Sequence, residues 1–143
     1  MGRLFAEDGG VRISDRYSES ADFVLYHGDC ADLLKSMRPD SVDLVVTSPP
    51  YNIGKQYEKR SSLESYLAEQ RPIISELHRV LAPTGSICWQ VGNYVSNGEV
   101  FPLDIFYYPI FSALGMRLRN RIIWRFGHGP HASRRPLWGF AWK

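Results

Sequence analysis

Residues 42–47, VDLVVT, run directly into Ser48-Pro49-Pro50-Tyr51. The six are nearly all apolar and β-branched, the composition of a strand buried on both faces. Two consecutive prolines then stop the strand, because each lacks an N–H and fixes its φ angle. A strand covered on both sides needs helices above and below its sheet, so the rest of the chain has to supply them.

The chain does so by alternation. Phe23-Val24-Leu25-Tyr26-His27 reads as a first strand, Gly28-Asp29 as a turn, and residues 31–37 as a short helix that Arg38-Pro39-Asp40 breaks. A polar, basic loop follows the proline pair at 52–60 (NIGKQYEKR). Ser61-Ser62-Leu63-Glu64 then carries the capping-box pattern, and Leu63, Tyr66, Leu67, Ile74, Leu77 and Leu81 recur at helical spacing. Pro72 is expected to kink or divide that helix, and Pro83-Thr84-Gly85 to end it. Residues 86–91 (SICWQV) read as another buried strand. Pro102 suits the first turn of a helix running to about Leu114, with Gly115 at its C-cap and Pro109 a breaker in its middle. Residues 118–126 read as a strand with charge at one end. Residues 1–21 are polar and rich in Gly, Ser and charge, and are expected to form a poorly ordered leader or a weakly docked arm. Alternation of this kind predicts an α/β fold with a mostly parallel sheet, in which ligands bind beyond the carboxyl ends of the strands. Ser48-Pro49-Pro50-Tyr51 sits at such an end.

At 143 residues, 44% of them hydrophobic, the chain can build one domain with a real core. A formal net charge of +2 does not by itself declare a nucleic-acid binder. Cys30 and Cys88 are far apart and form no metal-ligand spacing, so no metal is expected. Two thiols with no leader sequence fit a reducing cytoplasm. No apolar run approaches a membrane span, and the start MGRLFAEDGG lacks a signal peptide's apolar core. A cytoplasmic protein with no membrane partner is the expectation.

The proline pair carries chemistry as well as punctuation. Ser48, as the residue before a proline, is pushed toward an extended conformation. The carbonyls of a segment this stiff point in fixed directions. The Ser48 hydroxyl adds an acceptor and Tyr51 adds a flat aromatic face, which together make a receptor for an aromatic amine such as the exocyclic NH₂ of a base. A plain turn after a strand would also use Pro-Pro. The position after a buried strand, followed by Asn52 and a basic loop, favours the receptor.

These residues resemble the amino-methyltransferases of DNA, which carry a (Asp/Asn/Ser)-Pro-Pro-(Tyr/Phe/Trp) motif. His27-Gly28-Asp29-Cys30, Leu33-Leu34 and the run from Ser41 to Asn52 are similar to the opening of the circularly permuted branch of that family. Residues 77–91 (LHRVLAPTGSICWQV) are similar to the helix, Pro-Gly turn and strand that follow, and the resemblance covers roughly residues 23–135. It implies a Rossmann-like S-adenosylmethionine-dependent methyltransferase fold and a double-stranded DNA substrate whose target base is flipped out of the duplex. Tyr51 would stack on that base, and Ser48 Oγ and the Pro49 carbonyl would accept hydrogen bonds from its amino group, with Pro50 holding the motif rigid. Methyl transfer would be direct, and neither cysteine follows a proline as the covalent C5-cytosine route requires. Ser-Pro-Pro-Tyr is typical of enzymes acting on N4 of cytosine, and Asp-Pro-Pro-Tyr of those acting on N6 of adenine. Asn-Pro-Pro-Tyr enzymes that methylate protein glutamine also exist. Asp29, with Cys30 beside it, would bind the adenine ring of S-adenosylmethionine. Asp29 is equally a good N-cap for the helix that follows.

Asn52, Lys55, Lys59 and Arg60 lie in the loop after the motif and are candidate DNA contacts. Arg117, Arg119, Arg121, Arg125, Arg134 and Arg135 cluster later with His128 and His131, and solvated surface charge is the plain reading for any one of them. Trp89 and Trp124 read as core. The family's glycine-rich cofactor turn is not among these residues, and Gly127-His128-Gly129 is not followed by an apolar helix. The chain therefore reads as an incomplete fold: residues 22–143 would be the N-terminal, target-base part of a methyltransferase domain, with a second polypeptide as a candidate partner. By resemblance the sheet order is 3-2-1-4-5-7-6 and the permuted chain starts at strand 3. Residues 23–27 would then lack their neighbour, and strand 42–47 would be an apolar sheet edge.

Overall fold

The structure, a computed structural model, describes residues 11–54 and 60–124. In chain order its elements are β1 (Ile13–Ser14), β2 (Phe23–Val24), α1 (Cys30–Ser36), β3 (Val42–Thr47), α2 (Leu63–Val80), β4 (Leu81–Trp89), β5 (Asn93–Ser96), β6 (Glu99–Pro102) and α3 (Leu103–Ala113). β1 and β2 pair in parallel, β3 and β4 pair in parallel, and β5 and β6 form an antiparallel hairpin. The α/β class and the parallel pairing are as the alternation predicts.

The core forms where the apolar faces of α2 and α3 meet β4. Ile74, Leu77 and Val80 come from α2, Ile87 and Trp89 from β4, and Leu103, Tyr107, Ile110 and Phe111 from α3. The α3 set falls on one helical stripe. Trp89 packs against Tyr107 and Phe111, with ring centroids 5.5 and 5.6 Å away. Its reading as a core residue holds.

Both helices run unbroken through a proline, contrary to the break expected at Pro72. Pro72 and Pro109 face solvent, as do Ala68 and Ile105, whose carbonyls the missing N–H groups would have bonded. Water can satisfy those carbonyls, and apolar burial on the opposite face holds the helix together. α2 starts one residue later than the capping-box pattern indicates. Ser62 Oγ accepts from the Ser65 N–H at 3.1 Å, while the backbone of Ser61 is committed to Asn52. α3 ends as the sequence indicates: Gly115 takes φ +80, its N–H bonds to Ser112 O and that of Met116 to Phe111 O, the two bonds of a Schellman cap.

The strands depart further from expectation. β4 begins directly after α2. Leu81 pairs with Val42 and Ser86 with Leu44, so Pro83-Thr84-Gly85 bulges out of the ladder instead of separating helix from strand. β3 occupies the expected residues, but Leu44 is 60% exposed and Val46 70%. Among the described residues one face of β3 is bare and only β4 pairs with it. The strand expected over 23–27 shrinks to Phe23–Val24. It pairs with Ile13–Ser14, inside the segment read as a leader, and the Arg12 N–H binds Asp22 Oδ2 at 2.8 Å. That bond, reinforced by the Arg12 guanidinium, holds the Asp22 carboxyl below its usual range. Residues 118–124 form no strand, because no described segment offers them a ladder, and Trp124 is 57% exposed rather than in the core. The remainder of that expected strand, and the aromatic ending 138–143, lie outside the described residues.

Arg79 locks the first helix to the second. Its guanidinium donates to Met37 O and Leu34 O, the carbonyls that α1 leaves open at its end, and it pairs with Glu76 at 2.8 Å. This staple lies at the opposite end of β3 from the proline motif, since Ser41, just before β3, bonds to Val80 O.

Candidate functional site

The ladder between β3 and β4 continues to its carboxyl end, where Gln90 N donates to Thr47 O at 2.9 Å. There the proline pair turns the chain away. Pro49 is buried, whereas Ser48 and Pro50 are exposed. The Ser48 and Tyr51 hydroxyl oxygens lie 2.6 Å apart, a short hydrogen bond between the first and last residues of the motif. The Tyr51 ring lies over Gly92, where an added Cβ would sit 3.4 Å from the ring.

Beneath the motif is a polar column that the sequence reading does not anticipate. Tyr66 of α2 donates its hydroxyl proton to the Pro50 carbonyl at 2.6 Å. Tyr107 of α3 donates to the Tyr66 oxygen at 2.8 Å. The direction is unambiguous, because a carbonyl can only accept. Burial, and then the neighbouring Tyr66, push the Tyr107 phenol well above its usual range, so it stays a neutral donor. The helical spacing marks Tyr66 as an apolar position and Tyr107 falls within the expected helix, but nothing local marks their hydroxyls as partners across two helices.

Asn52 is not the exposed DNA contact that its position implies. It is 3% exposed and takes φ +58. Its amide donates to Ser61 O and accepts from Ser61 N, both at 2.8 Å, closing the loop at its base. An αL asparagine pairing with a backbone in this way is a clasp. Arg60 stays exposed. Its guanidinium stacks over the Tyr94 ring with its carbon 5.2 Å from the centroid, and it also donates to Val95 O. The β5–β6 hairpin thus holds the last residue of the basic loop. Asn97-Gly98, with φ +51 and +80, makes its tight turn, and that dipeptide between alternating residues is the signal that could have revealed it. Lys55 and Lys59 lie outside the described residues, as do Arg125, His128, His131, Arg134 and Arg135. Arg121 pairs with the buried Asp104 at 2.7 Å, whereas Arg117 and Arg119 face solvent.

Asp29 caps α1: its Oδ1 accepts from the Ala31 N–H at 2.8 Å. The side chain is exposed, and its carboxylate carries a second oxygen with further acceptor capacity. Partial desolvation, then the charge of Asp29, push the Cys30 thiol up, so it is a poor nucleophile. These two residues fit one polar edge of a purine. The described residues contain no glycine-rich strand-to-helix turn for the rest of a nucleoside cofactor, so the fit covers one end of S-adenosylmethionine only. Among the described residues no cluster of His, Cys, Asp and Glu could hold a metal, and no helix is long and apolar enough to cross a membrane.

Comparison with known proteins places this geometry. The N6/N4 methyltransferase model, a DNA methylase family, matches residues 42–137. The type II methyltransferase M.BglII of Bacillus subtilis is 54% identical over 112 residues, which is 78% of this chain and 31% of that protein. The DNA adenine methyltransferase YhdJ of Escherichia coli K12 is 32% identical over 119 residues, 78% of this chain and 35% of that protein. Among solved structures, the DNA modification methylase TTHA0409 of Thermus thermophilus, complexed with S-adenosyl-L-methionine, superimposes with a TM-score of 0.63 at 32% identity. That match covers 80% of this chain and 52% of the Thermus protein. The chain thus spans about a third of these curated relatives and about half of the solved structure. Its fold is a partial version of the Rossmann-like methyltransferase fold.

Proposed function

The chain belongs to the N6/N4 DNA methylase family, and on that premise we propose that it is the target-base part of a site-specific DNA methyltransferase. The methyl group of S-adenosylmethionine would pass to N4 of cytosine in double-stranded DNA, in a cytoplasmic restriction–modification system. The observation that carries this reading is the closed Ser48-Pro49-Pro50-Tyr51 unit at the carboxyl end of β3, with Ser48 Oγ and Tyr51 OH 2.6 Å apart.

A base flipped into this corner stacks on Tyr51. Ser48 Oγ and the Pro49 carbonyl accept from its amino group. The neighbouring carbonyl of Pro50 is already occupied by Tyr66, so the acceptors do not compete. Drawing both N–H bonds to fixed acceptors turns the nitrogen lone pair out of conjugation and toward the incoming methyl. Positioning and fixed dipoles supply the catalysis. S-adenosylmethionine supplies an electrophilic methyl group when bound, and the second carboxylate oxygen of Asp29, beside Cys30, is the group that would take its adenine amine. Arg60, with Lys55 and Lys59 of the same loop, would meet backbone phosphates, and the Asn52 clasp sets where that loop starts. The neutral hydroxyl of Ser48 supports cytosine. The adenine reading has its own support in the identity to YhdJ.

A second polypeptide would complete the fold along the bare edge of β3, where Leu44 and Val46 are exposed. In that case the purified chain alone transfers no methyl groups. Methyl transfer by the chain alone at rates near those of ordinary enzymes would remove this part of the proposal. The base is tested by placing the gene with its native flanking DNA on a plasmid in a methylation-deficient host, digesting the recovered DNA and separating its nucleosides. N4-methyl-2′-deoxycytidine is the expected product. N6-methyl-2′-deoxyadenosine would establish the adenine reading, and neither product would make the chain a non-catalytic binding remnant.

A further inference from the structure

We propose that Tyr66 and Tyr107 are positioning residues that set the geometry of the target-base pocket through the Pro50 carbonyl. The inference rests on the target-base reading of Ser48-Pro49-Pro50-Tyr51. The proline rings fix φ at 49 and at 50. Ser48 and Pro49 each precede a proline, which holds their ψ angles in the extended range. Pro50 is followed by Tyr51, so the ψ of Pro50 is the one torsion of the pair that neither a ring nor a following proline restricts. That torsion orients the 50–51 peptide and decides where the Tyr51 ring and hydroxyl fall relative to Ser48. The Pro50 carbonyl is the atom that reports it, and Tyr66 grips that atom at 2.6 Å.

The grip is itself supported. Tyr66 gives its only proton to Pro50, and its oxygen accepts from Tyr107 at 2.8 Å. A donor that is also an acceptor is polarised by the second bond, which strengthens the first. Both rings are buried and stand edge to face, 6.2 Å apart and 85° between planes, so neither hydroxyl can swing away. Tyr107 reaches the motif only through Tyr66, yet it sits at the base of the column that orients it. Buried hydroxyls that only needed satisfaction could bond to nearer backbone. This column runs from α3 through α2 to the single unrestrained peptide of the pocket.

Pro50-Tyr51 is the only Pro-Tyr dipeptide in the sequence. Full-length chain carrying ¹³C-carbonyl proline and ¹⁵N-tyrosine therefore gives one carbonyl–amide NMR cross-peak, and it reports this carbonyl. The probe is deoxycytidine, titrated into the wild type, Tyr107→Phe and Tyr66→Phe, with thermal melting run alongside. The expected result is that the cross-peak moves in both variants, more in Tyr66→Phe. Deoxycytidine should bind roughly three- to tenfold more weakly to Tyr107→Phe, the effect of losing about one net hydrogen bond. A variant that melts lower but keeps the wild-type cross-peak position and deoxycytidine affinity would show a packing role only and overturn the inference. If the wild-type cross-peak moves with Tyr107→Phe but never responds to deoxycytidine, the target-base reading fails and the inference falls with it. Tyr66→Phe gives the same comparison should Tyr107→Phe not fold.

Discussion

Tyr107 is buried with its proton held on by desolvation and by Tyr66, and that has a measurable consequence at alkaline pH. In the unfolded chain its phenol ionises at the ordinary value of 10.0, while in the folded chain it does not. Above that pH the unfolded state binds fewer protons, so this group makes stability fall as pH rises, by up to about 1.4 kcal/mol per unit. Below it the group contributes no slope. Denaturant melts of the wild type and Tyr107→Phe from neutral to alkaline pH should separate on the neutral side and converge as pH rises. Parallel curves would mean that the phenol is not protected. Asn52 allows a second test at this scale. Asn52→Ala loses both bonds to Ser61 and places a Cβ residue with no side-chain compensation at φ +58. A cost of about 2 kcal/mol is expected, and an unchanged melting midpoint would contradict the clasp. At this scale the sequence shows which residues carry chemistry, because Ser48, the prolines and Tyr51 act through properties intrinsic to their types. It does not show who partners them. The Tyr66 and Tyr107 hydroxyls, and the turn of Asn52 from surface contact to clasp, depend on long-range geometry that no local pattern contains.

At the scale of elements, the apolar periodicity locates α2 and α3 well and misjudges their prolines. A proline is costly in a helix because of the bond it removes and the turn it crowds. Pro72 and Pro109 leave their orphaned carbonyls in water, where that cost is smallest. Replacing Pro72 with Ala restores one intrahelical bond and should stabilise the chain by roughly 1 to 3 kcal/mol, measured by denaturant melts. Destabilisation would show that α2 needs the bend. The β5–β6 hairpin escapes the strand–helix alternation because its strands are short and its turn rests on Asn97-Gly98. Gly98 takes φ +80 with open space where a Cβ would sit, so Gly98→Ala should cost about 1 to 2 kcal/mol through backbone strain alone. If that hairpin holds Arg60 through Tyr94, the same change should also loosen the basic loop.

At the scale of the molecule, the sheet is where the sequence and the structure diverge most. VDLVVT has the composition of a strand buried on both faces, yet β3 has one neighbour and a bare apolar side among the described residues. Composition records the environment for which a strand is suited. It does not say whether the covering elements lie within the same described residues. Phe23 and Leu25 are exposed for the same reason, since β2 pairs with β1 and not with β3. An open apolar edge drives association. Val46→Lys should therefore lower self-association of the purified chain, seen by sedimentation or light scattering, with little change in melting. Unaltered association would place the sticky surface elsewhere. The central claim is that Ser48-Pro49-Pro50-Tyr51 receives the amino group of a cytosine. Its most direct test is Tyr51→Ala in the plasmid-borne gene with native flanking DNA, followed by quantification of N4-methyl-2′-deoxycytidine in the recovered DNA. With the stacking face removed and the protein level unchanged, the modified nucleoside should fall by more than about tenfold, because stacking on an aromatic ring contributes about 1 to 3 kcal/mol per base. Wild-type levels of N4-methyl-2′-deoxycytidine in that variant would contradict the account.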